Sequence, residues 1–401
     1  MRAAALARCL TAVGSAIVMV ALGACATSVE GSAVKESEPA SAVNADGVNV
    51  DRLQPGNYPT KRRPAPAPSQ QNGIRVDAQR MADHVVLPWD VDESLTEPVL
   101  LGIGVLNDPK TVVAVLPVPV IDVVRAHGFL YGFSSTRADR TSGQQTKSLL
   151  NAVLRFPTDA DARAVAEAVH EQSPAQLENA EALPMPGHPE ALATRSTFMN
   201  KARITSVTPH GPFLLVQEAQ SEDAEAAVQM VGKALDLQAP AIDEFSPTPV
   251  DELPALDTDP TGLFSRTVMV EDPKLPIFGV YGEHGILHFR SPKEAAWYDA
   301  AGMDAASLGP STFVYQTRDG AAATDLAAQI AGGLSDGAKP AGAVPGMPAA
   351  KCFFSPDSPV ALMRYNCVAP AGRWVITAGS QQERDAAQLI TAQYLMLTGK
   401  Q

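Results

Sequence analysis

The 401-residue sequence predicts an α+β fold built from two tandem copies of one sheet-plus-helices unit, strand-strand-helix-strand-strand-helix, preceded by a flexible tether. Three observations carry this. Short motifs recur in the same order: His127-Gly128-Phe129-Leu130 as His284-Gly285-Ile286-Leu287, Val153-Leu154 as Val314-Tyr315, Pro186-Gly187-His188-Pro189 as Pro345-Gly346-Met347-Pro348, Gly211-x-Phe213-Leu214 as Gly372-x-Trp374-Val375, and Ala226-x-Val228 as Ala387-x-Leu389, at offsets of 157, 161, 159, 161 and 161. Each half mixes apolar strand-like runs with alanine-rich amphipathic stretches. Two Pro-rich polar stretches set the halves apart from the N-terminus and from each other. The composition, 45% apolar and 19% charged with 33 prolines, is globular with linkers added. A formal charge of −13 speaks against nucleic acid as a partner, since that needs a basic surface, and against electrostatic docking of the whole body on anionic lipid.

Residues 1–24 are expected to be a lipoprotein signal peptide. Arg2 and Arg8 give its positive end, and Cys9 to Leu22 an apolar run too short for a comfortable span. Leu22-Gly23-Ala24-Cys25 resembles a bacterial lipobox: an aliphatic residue, two small residues that let a peptidase reach the Ala24–Cys25 bond, and a thiol to take a diacylglyceryl group. Cys25 is therefore the expected lipid attachment. Two acyl chains, at about 0.8 kcal/mol per buried CH₂, make a stable anchor on the extracytoplasmic side of the cell membrane. No other stretch is apolar and long enough to span. Val112 to Val124 contains Pro117, Pro119 and Asp122 and reads as buried strand or loop. Residues 25–75 read as the lipidated tether, with the basic cluster Lys61-Arg62-Arg63 followed by alternating prolines, extended and solvated.

Residues 76–237 form the expected first copy. A strand starts after His127-Gly128, and a second covers Ala152 to Phe156. A helix runs from Asp161 to Glu171, capped by Asp159, with Ala162, Val165, Ala166 and Val169 on one face. After the Pro-Gly-x-Pro turn comes a hairpin, Arg203 to Thr208 with Phe213 to Ala219, and then a closing helix over Asp223 to Leu235. Residues 238–262, with five prolines and six acids, read as a linker. Residues 263–401 repeat the pattern: a strand after His284-Gly285, a strand over Thr312 to Gln316, and a helix from near Asp319 carrying Ala323, Leu326, Ala327 and Ile330. A hairpin about Pro370-Ala371-Gly372 and a helix over Glu383 to Leu397 complete it. With Cys9 discarded and Cys25 lipidated, Cys352 and Cys367 remain. Outside the cytoplasm a structural disulfide between them is the expected state, worth about 3 kcal/mol. Free thiols or a redox pair are the alternatives, and no CxxC spacing is present. Ser206 stands in the first copy where Cys367 stands in the second.

Several longer motifs, in order, resemble signatures of the domain of unknown function 7373 family: Gly56-Asn57-Tyr58-Pro59-Thr60-Lys61, Gln79-Arg80-Met81-Ala82-Asp83-His84-Val85-Val86-Leu87-Pro88, Gly132-Phe133-Ser134, Pro186-Gly187-His188-Pro189, Gly372-Arg373-Trp374-Val375 and Ala392-Gln393-Tyr394. The family carries Tyr more often than Trp at the position of Trp374. The resemblance implies an envelope lipoprotein of mycolic-acid-bearing actinobacteria and brings no catalytic residues with it.

The residues themselves give no catalytic site. There is no Gly-x-Ser-x-Gly, and Gly132-Phe133-Ser134-Ser135-Thr136 lacks the second glycine of a nucleophile elbow. His284 and His288 have zinc-like spacing, but on the strand expected there they would lie about 13 Å apart. Asp257 to Gly262 opens like a calcium loop but has Val268 at its twelfth position. Asp159 and Asp161 are better read as helix-cap residues than as an acid–base pair. No metal or cofactor is expected. The candidate ligand contacts are the aromatics outside the strands, Trp89, Trp297 and Tyr298. The reading that results is a non-enzymatic binding or scaffold lipoprotein whose partner is an envelope lipid, glycan or protein. An envelope hydrolase with a site between the copies is the alternative.

Overall fold

Alternating apolar residues draw each half into an antiparallel sheet covered by helices on both faces. A computed structural model describes residues 43–99, 102–116, 120–140, 145–269, 275–356 and 363–399, all within one compact unit. The expected signal peptide and Cys25 lie outside the described residues. The first half contains α1 (Gln70–Met81), α2 (Pro88–Val91), β1 (Glu97–Pro98), β2 (Gly104–Leu106), α3 (Ile121–Ala126), β3 (Tyr131–Ala138), β4 (Lys147–Arg155), α4 (Asp159–Gln176), β5 (Glu181–Leu183), β6 (Leu192–Phe198), β7 (Lys201–His210), β8 (Phe213–Ser221) and α5 (Ala224–Asp243). The second contains β9 (Gly279–Tyr281), α6 (Glu283–Leu287), α7 (Glu294–Ala301), β10 (Ala305–Leu308), β11 (Thr312–Gln316), α8 (Gly320–Ser335), β12 (Lys339–Pro340), β13 (Lys351–Phe354), β14 (Tyr365–Ala371), β15 (Trp374–Ser380) and α9 (Glu383–Thr398).

The duplication is written in the topology. The order β2-β3-β4-β8-β7-β6-β5 recurs as β9-β10-β11-β15-β14-β13-β12, and β1 adds to the outer side of β3. The shared unit has seven strands, three more than the sequence pattern suggests: β2 and β9 are one extra pair, and two more strands are added in each copy. β5 and β6, like β12 and β13, flank the Pro-Gly-x-Pro turn, and β5 and β12 are too short for alternation to register. One motif match fails. His284-Gly285 lies in helix α6 and does not open a strand. The counterpart of α3–Gly128–β3 is α7–Gly302–β10, and both glycines hold the left-handed conformation (φ +65° and +55°) that ends a helix and turns the chain into a strand. The cap of α4 is Thr158, whose hydroxyl accepts the Asp161 N–H at 3.2 Å, rather than Asp159. Val112 to Val124, where described, is a helical turn and α3, not a strand.

The described part of the expected tether, residues 43–75, and the expected linker are both docked, while residues 25–42 of the tether lie outside the described residues. From residue 43 the chain straps the second copy. The Asn49 N–H donates to the Gly346 carbonyl (2.8 Å), Tyr58 Oη donates to Asp385 (2.6 Å), and Arg62 Nε donates to Ser265 Oγ (2.8 Å). The linker's first residues extend α5 to Asp243. Beyond it, Thr248 donates through its N–H (3.0 Å) and hydroxyl (2.9 Å) to buried Asp77, and Leu253 is fully buried. Asp259 accepts the Phe264 and Ser265 N–H groups (both 2.9 Å), so its carboxylate closes a turn instead of opening a calcium loop.

Three apolar cores result. Ala162, Val165, Ala166 and Val169 of α4 pack on one face of the first sheet. The opposite face, covered by α5, merges with the α8 face of the second sheet into one large core. The α9 face of the second sheet packs with Val48 of the strap. Since α8 corresponds to α4 and α9 to α5, the copies meet through unlike faces, head to tail.

Cys352 and Cys367 form a disulfide. They are direct partners across β13 and β14 with Cα atoms 4.0 Å apart, so the bridge staples two strands rather than a strand to an incoming loop. The equivalent pair in the first copy is Ala193 and Ser206. If the duplication holds at this register, A193C/S206C will form a second bridge on air oxidation, seen as a two-proton mass loss under non-reducing conditions. C352A/C367A will lower unfolding stability by about 2–4 kcal/mol in urea titrations.

Candidate functional site

The junction between the copies is where an enzymatic site would have to arise, and its polar groups are engaged in holding the copies together. Helix α6 of the second copy is gripped at both ends by the first. At its start the Asp83 carboxylate accepts the N–H groups of Gly285 (2.7 Å) and Gly282 (3.3 Å). Burial pushes the Asp83 carboxyl above its usual range, and the Gly285 N–H pulls the other way. At its end Arg137, 1% exposed, donates to the carbonyls of Arg290 (2.6 Å), His288 (2.9 Å) and Leu287 (3.2 Å), and to Thr96 of its own copy (2.6 Å). The Leu287 and His288 carbonyls stand at the end of α6, where carbonyls lack a full set of intrahelical partners, and the Leu287 carbonyl also accepts the Arg290 N–H (3.0 Å). On the flank, His284 and His288 are neighbours on one helical turn, ring centroids 5.8 Å apart, not separated along a strand. Each Nε2 meets a backbone carbonyl of the first copy, Val85 at 3.1 Å and Ala82 at 3.0 Å. Among the described residues no group of three His, Cys, Asp or Glu side chains is placed to hold a metal.

The three candidate aromatics part ways. Trp89 stacks on Arg137, its ring 4.4 Å from the guanidinium, and so belongs to the junction. Tyr298 is fully buried, donating to Glu294 Oε2 (2.5 Å), with Tyr315 5.5 Å away. Trp89 and Trp297 are both half-buried, and Trp297 is the one that lines a described cleft. Its cleft, about 430 Å³, lies between α7 and α8 and is lined also by Arg290, Glu294, Gln329, Gly333 and Asp336. Arg290 lies 3.9 Å over the Phe313 ring and 3.9 Å from Glu294, and donates to Tyr315. The arrangement offers one aromatic face beside a set of donors and acceptors. Sequence reasoning finds Trp297 and misses the rest, because the partners come from α8. The paired Gly332-Gly333 is the available signal. Two glycines weaken a helix interior, and a Cβ at Gly333 would stand 3.2 Å from the indole.

Family models for the domain of unknown function DUF7373 match the chain over residues 64–258 (N-terminal domain) and 263–400 (C-terminal domain). The chain belongs to the DUF7373 family. No curated protein matches it. Among solved structures it is similar to the extracellular domain of PknH from Mycobacterium tuberculosis, at 13% identity and a TM-score of 0.25, over 31% of this chain and 70% of that one. No helix among the described residues is long and apolar enough to cross a membrane.

In this DUF7373 chain the signature motifs serve as fasteners. Gln79 Nε2 donates to the carbonyls of Pro276 (3.0 Å) and Phe278 (3.2 Å). Val86 and His84 are held by Gln238 of α5, which accepts from the Val86 N–H (2.9 Å) and donates to the His84 carbonyl (2.8 Å). Gln393 of α9 does the same to Val268 (2.7 Å) and Arg266 (2.6 Å). Tyr394 donates to Asp46 of the strap (2.7 Å) and accepts from Asn44 (2.6 Å).

D83A, which strands two amide donors, should cost about 1–3 kcal/mol, and R137A about 3–5 kcal/mol, in equilibrium unfolding. A change below a few tenths for both would show that α6 is not held this way. His288 adds a pH dependence. Burial holds its imidazole well below its usual range. The unfolded chain therefore takes up a proton, as pH falls below about 6.5, that the folded protein refuses, and stability drops by up to about 1.4 kcal/mol per pH unit. In H288Q that part of the acid slope should vanish when urea midpoints at pH 7 and pH 5 are compared. An unchanged slope would assign it to other groups.

Proposed function

We propose that the protein is an extracytoplasmic lipoprotein, held on the outer face of the cytoplasmic membrane by an acylated Cys25, whose duplicated body is a binding scaffold with its ligand site in the Trp297 cleft. The observation that carries the ligand site is that Trp297 walls a cleft of about 430 Å³, with Arg290, Glu294, Gln329 and Asp336 around it. An indole face with mixed donors and acceptors suits a pyranose ring, which has an apolar face and a hydroxyl rim, so an envelope glycan is the favoured ligand class. The lipobox at Leu22 to Cys25 supports the anchor. The alternative, a hydrolase acting between the copies, has less behind it, since Asp83, His284 and His288 are committed to backbone partners.

Two measurements test this reading. C25A should abolish incorporation of a clickable fatty acid and move the protein out of the membrane fraction. Labelling that persists would refute the anchor. W297A should weaken retention on immobilised envelope polysaccharide by about tenfold or more, measured well below its unfolding midpoint because Trp297 also packs on the large core. Equal retention of W297A and the parent would remove the cleft as the ligand site.

A further inference from the structure

We propose that the tip of the β6–β7 hairpin, Phe198-Met199, is a finger that inserts into an anionic lipid surface, a contact separate from Cys25 and from the Trp297 cleft. The hairpin pairs down to Phe198 and Lys201, which leaves Met199-Asn200 as a two-residue turn. Both turn residues have positive φ, +49° and +63°. This is the turn that the twist of paired strands favours, and it calls for Asn, Asp or Gly. Asn200 fits. Met199 does not, because an unbranched apolar L-residue in the left-handed region is strained.

Packing does not compensate for that strain. Met199 is 79% exposed and Phe198 37%, so the tip offers an apolar pair to solvent where turn chemistry and hydration both favour a polar residue. The second copy does not repeat the feature, since its β13–β14 hairpin has a longer loop between Phe354 and Tyr365.

The charges beside the tip give the occupant. Arg195 to Arg203 holds three cations, Arg195, Lys201 and Arg203, and no acid, in a chain where Asp and Glu outnumber Lys and Arg by 44 to 31. Arg203 lies 5.0 Å from the Phe198 ring centroid and donates to Ser196 (3.1 Å), and Lys201 donates to the Gln145 carbonyl (2.5 Å). Arg195 faces Glu181 at 3.7 Å. Apolar side chains foremost with cations one step behind match the layering of a bilayer surface, acyl chains beneath phosphates. The acidic body as a whole is repelled by such a surface, which would orient the molecule with this end toward the lipid.

The test uses the native full-length chain and the Met199 thioether as its own reporter. Oxidation by dilute peroxide is followed by peptide mass spectrometry in buffer, with phosphatidylcholine vesicles, and with vesicles that also contain phosphatidylglycerol. The phosphatidylglycerol vesicles should slow Met199 oxidation by about tenfold, high salt should restore it, and K201E/R203E should lose the protection with its unfolding midpoint kept. Oxidation at one rate under all three conditions overturns the proposal. Protection by an envelope protein fraction but not by vesicles overturns it in favour of a protein partner. Protection by phosphatidylcholine alone to the same extent overturns the anionic requirement. M199N supplies an independent check, since Asn suits the turn and should raise the unfolding midpoint or leave it unchanged. A clear drop would give Met199 a folding role and remove the ground of the argument.

Discussion

The fold depends on one short helix being completed by another part of the chain. Helix α6 cannot satisfy its own end groups, and the first copy supplies what it lacks, the Asp83 carboxylate at one end and the Arg137 guanidinium at the other. The dependence runs both ways. Arg137 is 1% exposed, and a buried guanidinium needs partners for its terminal N–H groups, which it finds in three carbonyls of the second copy and in Thr96 of its own, while its Nε has none. Neither half is a finished domain without the other. The large core says the same in apolar terms, since it takes residues from the α5 face of one sheet and the α8 face of the other.

Head-to-tail association explains why two copies of one topology are stabilised differently. In the first copy the position of Ala193 opens onto the core shared between the sheets and needs no staple. In the second, the equivalent Cys352 faces the outer core beneath the strap, and the disulfide adds its constraint there. Each copy also carries a buried polar network of its own. In the first, Asp77 gathers Tyr131, Arg155 and both polar groups of Thr248, and Asn151 joins Gln217 to Gln238. In the second, Arg290 joins Tyr315 and Glu294, and Glu294 accepts from Tyr298. Such networks are sustainable only where both faces of a sheet are covered, as they are in both copies.

How much of this is legible in the sequence depends on the range of each signal. The α+β duplication, the faces of α4 and α8, the hairpins and the disulfide partners are legible because they rest on local periodicity or on counting cysteines. β5 and β12 are not, since strands of two or three residues carry no period. His284-Gly285 misleads because a motif matched by letters takes no account of the chain downstream of it: α6 and α7 intervene before β10, and the loop between β10 and β11 is shorter than that between β3 and β4. The strap and linker mislead for a different reason. Proline, serine and charge describe a segment that cannot fold alone, and say nothing of whether it finds a surface to lie on. Tyr58, Arg62 and Thr248 do. Of the candidate site, Trp297 is visible as a stray aromatic, but its neighbours across the cleft depend on how α8 packs against α7, which no local pattern encodes.

The same reasoning separates structural residues from functional ones. Where local preference and tertiary role agree, as at Thr158 capping α4 or Gly302 ending α7, folding accounts for the residue in full. Asp83, His284, His288 and Gln393 look like chemistry in the sequence, yet each is bonded to backbone groups across the fold, His288 through Nε2 only, and folding accounts for those contacts. Gly333 too has a packing reason, since a Cβ there would stand 3.2 Å from the indole of Trp297. What is left over is a local cost that no packing returns: a methionine occupies a turn position made for asparagine, exposed at its tip. The proposed hairpin contact rests on that cost, and the proposed ligand cleft on its geometry alone.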